Sequence, residues 1–229
     1  MEKRSHILLK LVPIMLAFFA MGFVDLVGIA TNYVKKDFEL SDSVANLFTS
    51  MVFFWFLVCS VPTGMLMNKI GRRKTVILSL MLTSVALIIP LIDYNLPLIL
   101  ISFSLLGISN AVMQVSLNPL LSNIVSDKRL SSALTFGQFV KAIAAFTAPI
   151  IAAWGALHFN NWRLLFAVYL VEGVIAAAAL SFEKIKEEEM TGRASTFKEC
   201  FSLLGDTTVL LCFIGIVCHV GIDLSLIHI

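Results

Sequence analysis

The sequence predicts an all-α, polytopic membrane protein. Three observations carry that prediction: there are too few charges to coat a water-soluble surface, apolar residues fall in continuous runs of membrane-spanning length, and Lys and Arg concentrate in alternate connections. Of the 229 residues, 59% are hydrophobic and 14% charged, against roughly a quarter charged in a typical soluble domain. Mean hydropathy is +0.93. A net charge of +2 is too small to point to nucleic acid, and the 18 Phe suit contact with membrane lipid.

A spanning helix needs about 20 largely apolar residues. Six such runs lie at about 7–34, 43–67, 73–92, 96–122, 131–157 and 162–182, and a seventh begins near Val209. The runs are unbroken rather than alternating, which excludes strands of a β-barrel. The basic opening MEKRSHILLK leads into a run too long for a signal peptide and without a small-residue cleavage site, so it reads as the first span.

Orientation follows from the basic residues. With the N-terminus cytoplasmic, thirteen of the 17 Lys and Arg fall inside, only Lys35, Lys36 and Arg163 fall outside, and Lys141 lies within a helix. The expected organisation is a six-helix bundle over 1–182, a charged cytoplasmic linker over 183–206 containing Glu187, Glu188 and Glu189, and the start of a seventh helix over 207–229. Six helices, a linker and a new helix read as one half of a longer protein, a truncated chain. The closing LSLIHI matches the translation of a common sequencing-adaptor DNA, so the natural sequence is expected to end near Asp223 and the remainder to be a scar.

Cys59, Cys200, Cys212 and Cys218 form no CxxC pair and three lie in apolar runs, so they read as free, buried thiols. Cys212 and His219 read as packing residues rather than ligands, and neither a metal nor a cofactor is expected.

The turn between the second and third runs reads Gly64-Met-Leu-Met-Asn68-Lys69-Ile-Gly71-Arg72-Arg73-Lys74. This resembles the G-x-x-x-D-R-x-G-R-R/K signature of the major facilitator superfamily, in the loop where that family carries it. Physically, Gly64 admits a neighbouring helix, Gly71 permits a tight turn, and the basic residues face the cytoplasm. In the family the acidic member contacts a helix start and a basic partner; Asn68 stands there, which implies a weaker latch. A closer likeness is to the fucose–galactose–glucose:proton symporters, on Gly22-Phe23-Val24-Asp25, on Pro62-Thr-Gly-Met-Leu-Met67 and on Asn118-Pro119, covering about residues 15–125. In those symporters carboxylates on helices 1 and 4 take part in proton coupling. The helix-4 position is Gln114 here, which cannot titrate, and the helix-1 position falls near Gly28, with Asp25 one turn earlier. Coupling by that route is therefore in question.

Polar groups at membrane depth are costly and mark function or tight packing. Asn110, Gln114 and Asn118 repeat every four residues on one helix face and suit a polyhydroxylated solute, or serve as interhelical glue. Pro119 is expected to bend or unwind the end of that helix. Asp25, flanked by Gly22 and Gly28, has three open readings: substrate binding, proton carriage, or pairing with Lys141. Lys141 and Glu172 each lie about ten residues into their helices, roughly 15 Å deep, so a buried ion pair between them is geometrically open. Unpaired, Lys141 attracts an anionic solute such as a sugar acid and Glu172 carries protons. Gln138 shares a face with Lys141. The stripe Ala144, Ala148, Ala152 with Pro149 reads as close helix packing, with a distant likeness to a glycine-rich motif of drug/proton antiporters. Trp154, Trp162, Tyr33 and Tyr94 read as interface anchors.

The resemblance implies a secondary transporter of the inner or plasma membrane, with N- and C-terminal six-helix halves rocking about a midplane site. It implies uptake of a sugar or related small solute driven by protons or sodium, with a drug or metabolite exporter, and uptake of an anionic sugar acid, as the alternatives. On that resemblance a C-terminal six-helix half is expected to be missing from this chain. A membrane-embedded enzyme would need a nucleophile or metal cluster at depth, and the sequence offers none. A substrate sensor without transport would look the same in this half.

Overall fold

The computed structural model describes residues 2–183, 185 and 197–227. These include helices α1 (Glu2–Met21), α2 (Leu26–Asp37), α3 (Asp42–Ile70), α4 (Arg72–Ile92), α5 (Leu96–Ser122), α6 (Asp127–Phe159), α7 (Leu164–Phe182), α8 (Phe197–Ser202) and α9 (Thr207–Ile227). A 3-10 segment, Gly22–Asp25, joins α1 to α2, so the first span is one broken helix. Among the described residues, six helices are long and apolar enough to cross a membrane, at the six predicted places. Compact units run over Met1–Met190 and Thr191–Ile229. Half of the expected linker, including the Glu187, Glu188 and Glu189 run, and the last two residues lie outside the described residues.

Local chemistry explains where the spans turn. Gly71 alone separates α3 from α4, at φ 92°, a backbone conformation that only glycine adopts without strain. Asn95 caps α5, its side chain accepting from the Leu98 N–H at 3.0 Å, with a proline in the first turn. Asn160 closes α6 in the left-handed conformation, φ 49°. Hydroxyls inside the spans return their protons to the helix, as Thr83 does to the Ser79 carbonyl at 2.9 Å, because lipid offers no other acceptor.

Packing groups the spans in two sets. α5 lies against α3 and α4, α1 lies against α6 and α7, and α4 against α7 joins the sets. Where helices meet without a hydrophobic driving force, small residues permit close approach and dispersion contacts. A Cβ on Gly107 of α5 would stand 2.7 Å from the Val52 carbonyl of α3. A Cβ on Gly22 would stand 2.6 Å from the Lys141 carbonyl oxygen and 2.8 Å from the Ala144 Cβ of α6. Gly64 differs from expectation: nothing lies within 4 Å of where its Cβ would be, so it admits no neighbouring helix in this arrangement. Ala144, Ala148 and Ala152 are buried, the packing stripe that the sequence indicates.

The thiols depart from expectation. They are free, but Cys59 and Cys200 are half-buried and Cys212 and Cys218 are exposed. An apolar run in a membrane protein faces lipid or a further domain as readily as its own core, so apolar neighbours in sequence did not imply burial. Pro119 likewise leaves α5 unbroken, because it sits in the last turn and the helix ends three residues later at Ser122.

Replacing Gly22 by Ala is expected to lower thermal stability by about 1–3 kcal/mol, the usual cost of overpacking. Gly28→Ala, with no heavy atom within 4 Å of the added methyl, is expected to leave the melting temperature nearly unchanged. Thermal denaturation of both variants in detergent checks the contrast.

Candidate functional site

The break in the first span positions the candidate site. Gly22 abuts the α6 backbone, and the next ring, Phe23, stacks on Tyr169 of α7 with centroids 4.2 Å apart and planes within 10°. Tyr169 in turn donates to the Ala144 carbonyl at 2.5 Å. Two neighbouring spans thereby hold the 3-10 segment that ends in Asp25. Asp25 is exposed on the face of α2 that also carries Gly28 and Asn32, both exposed. Asn32 was not singled out from the sequence, although its spacing from Asp25 and Gly28 is the helical signal for a shared face.

Lys141 is half-buried on α6 and close enough to Asp25 for the two charges to interact. The pair between Lys141 and Glu172 is not formed. Both Glu172 oxygens are buried with no hydrogen-bond partner. The reason is rotational: α6 presents Lys141 where the first span breaks, whereas Glu172 of α7 lies beside the part of α1 before the break. Gln138 is exposed on α6.

The α5 stripe is graded rather than uniform. Asn110 is 5% exposed, Gln114 half-buried and Asn118 exposed. The Asn110 amide has neither a donor nor an acceptor partner, so interhelical glue does not describe it. Gln114 and Asn118 lie on the accessible part of the stripe.

At the signature turn, the arginines clasp helix ends. Arg72 donates to the Pro119 carbonyl at 3.1 Å and to the Asn123 side-chain oxygen, both at the end of α5. Arg73 donates to the Leu180 and Ser181 carbonyls at 3.1 and 2.6 Å, at the end of α7. Cations there satisfy orphan carbonyls and complement the negative helix terminus. Lys69 is exposed and Asn68 half-buried in the last turn of α3. The sequence located this motif but not its partners.

A second cluster lies at the opposite ends of the spans. The Asp37 carboxylate accepts from the Tyr94 hydroxyl at 2.8 Å and the Trp162 indole N–H at 2.9 Å. Tyr33 stacks on Trp162 at 5.0 Å, and the Arg163 guanidinium lies 4.9 Å from the Tyr94 ring centre. Trp162 is 7% exposed, so it ties connections together rather than anchoring in the lipid interface, whereas Trp154 is exposed as an interface anchor would be. Burial, then the bond to Asp37, pushes the Tyr94 phenol above its usual 10.0.

A helical half-bundle with a broken first span, charges set at that break and an arginine-clasped turn defines a membrane-transporter architecture. A sequence profile of the Major Facilitator Superfamily matches residues 14–227, and the chain belongs to that family. That is a family of transporters, not of enzymes. The chain is 25% identical over 147 residues to a glucose/galactose transporter of Brucella abortus, covering 62% of this chain and 36% of that protein. It is 24% identical over 179 residues to a gentisate transporter of Corynebacterium glutamicum, covering 72% and 39% respectively. The solved structure of the proton:xylose symporter XylE superposes with a TM-score of 0.66 at 16% identity, over 80% of this chain and 46% of that one. The chain thus spans less than half the length of each of these proteins.

Removing the shared acceptor with Asp37→Ala strands the buried Trp162 N–H, and a loss of about 1–2 kcal/mol is expected, read from thermal melts with Trp fluorescence. The raised Tyr94 phenol contributes stability that is fully present below pH 10.0 and is lost as pH rises further. Tyr94→Phe is therefore expected to remove part of the alkaline loss of stability, seen by comparing melts above and below that pH.

Proposed function

We propose that this chain is the N-terminal half of a secondary transporter that takes up a sugar or related small solute down an ion gradient. The observation that carries this reading is Asp25, held at the broken first span on an exposed face with Gly28 and Asn32 and within electrostatic reach of Lys141. A carboxylate with open space and a neighbouring ammonium can change partners as solute or proton arrives, which gives two states different affinities, the requirement for alternating access. Asn118 and Gln114 supply amide donors and acceptors suited to hydroxyl groups. The likeness to a glucose/galactose transporter supports a sugar over other solutes. In this reading the N-terminus and the arginine-clasped turn face the cytoplasm, the protein resides in the inner or plasma membrane, and the coupling ion is a proton or sodium. A C-terminal half covers α3 and α6, the least buried of the six spans.

A second reading is uptake of an anionic solute, favoured by the half-buried Lys141 and by the likeness to a gentisate transporter. The two readings part on Lys141: an anion depends on its charge, whereas a neutral sugar tolerates Gln there.

Accumulation of labelled hexose by cells expressing the full-length protein tests the first reading. Asp25→Asn is expected to reduce gradient-driven uptake about tenfold or more, consistent with loss of a charge-assisted contact of about 1.5–3 kcal/mol. Unchanged flux and unchanged pH dependence in that variant would dismiss Asp25. Extrusion of solute instead of accumulation would favour an exporter.

A further inference from the structure

Two contacts fix how α3 and α5 lie against each other. The Phe48 and Phe103 rings meet edge to face with centroids 5.6 Å apart, and Gly107 abuts the Val52 backbone one turn further along each helix. Both pairs are 55 residues apart in sequence, so the helices run in the same direction and in step. Carried to the next turn, that register sets Trp55 level with Asn110, each about two turns beyond the ring contact and on its face. Both residues stand near the centres of their helices, the depth at which transporters of this kind bind solute.

The two side chains share a further property. Among the described residues, the Trp55 indole N–H and both the oxygen and the nitrogen of the Asn110 amide are buried without a hydrogen-bond partner. A buried indole N–H normally finds an acceptor, and orphaned polar groups cost free energy that packing does not return. Apolar side chains would fill the same level without that cost. Both groups are neutral, so neither calls for an ion. Together they offer N–H donors and a carbonyl acceptor, the complement of hydroxyl groups, each of which both donates and accepts. Half-buried Gln114 and exposed Asn118 continue the Asn110 stripe, so the pair forms the inner end of a row of amides.

We propose that Trp55 and Asn110 form a hydroxyl-recognising subsite for a hexose. The Trp55 and Asn110 N–H groups donate to ring hydroxyl oxygens, and the Asn110 carbonyl accepts a hydroxyl proton. This rests on the sugar-uptake reading above and adds Trp55 to it as a specificity-determining residue.

The test is labelled glucose uptake by the full-length protein in proteoliposomes, with singly deoxygenated glucose analogues as competitors. Trp55→Phe removes the N–H and keeps an aromatic ring; Asn110→Leu removes the amide and keeps the branched shape. Each is expected to raise KM about threefold to tenfold, the loss of one or two neutral hydrogen bonds, with kcat changed less than about twofold. Each is also expected to hold or raise the melting temperature, since a buried unpaired polar group disappears. A pair serving only helix packing would instead lower it without moving KM. At least one deoxy analogue is expected to compete poorly for the native protein, and both variants to lose that discrimination. Native KM with unchanged discrimination in both variants would overturn the proposal and leave hexose uptake standing. Absence of glucose uptake by the native protein would overturn the proposal and the sugar reading together.

Discussion

The backbone contact between Gly22 and Lys141 is the constraint on which the rest of this half-bundle depends. There the first span abandons the α-helix for a 3-10 turn, and the absent side chain lets it lie directly on α6. The Phe23–Tyr169 stack and the Tyr169 bond to the Ala144 carbonyl then fasten the turn from the side of α7. Tight packing of this kind in lipid relies on dispersion and shape, which fall off steeply with distance. A single methyl is therefore enough to disturb it. Asp25 inherits its position from this junction, and Lys141 its partner.

Charges are handled differently at the two ends of the bundle and in its middle. At one end Arg72 and Arg73 bind the termini of α5 and α7, joining the helices α4 would otherwise only touch. At the other, Asp37 gathers Tyr94 and Trp162 from two separate connections. These are fully partnered contacts that hold the spans in register. Near the middle, by contrast, Asp25 is exposed and Glu172 lacks a partner. Binding sites concentrate where polar groups are left unsatisfied by the protein itself. The stapled ends supply the rigidity that lets such groups persist.

The two carboxylates of the middle sit in different environments. Asp25 is exposed on a face shared with Gly28 and Asn32. Glu172 lies among hydrocarbon and aromatic side chains of α1 and α6, its oxygens shielded and without hydrogen-bond partners. Similar acids in one bundle thus meet different surroundings because helix packing sets polarity and access.

Much of the fold was legible in the linear chain. Length and continuity of the apolar runs placed six spans, because a bilayer has a fixed thickness, and Gly71 with its basic neighbours placed the tight turn. The packing role of Ala144, Ala148 and Ala152 also followed from side-chain size. Which charges meet was decided by tertiary structure alone: Lys141 and Glu172 have compatible depths, yet Lys141 lies within electrostatic reach of Asp25 while Glu172 is buried beside α1 without a partner. Asn110 and Asn118 share a stripe, but packing of α5 covers the first and exposes the second. Depth is a one-dimensional quantity that residue counting supplies, whereas partnership depends on the angle at which each helix presents a side chain. Each residue turns that angle by about 100°, so it is set only when the neighbouring helices are in place.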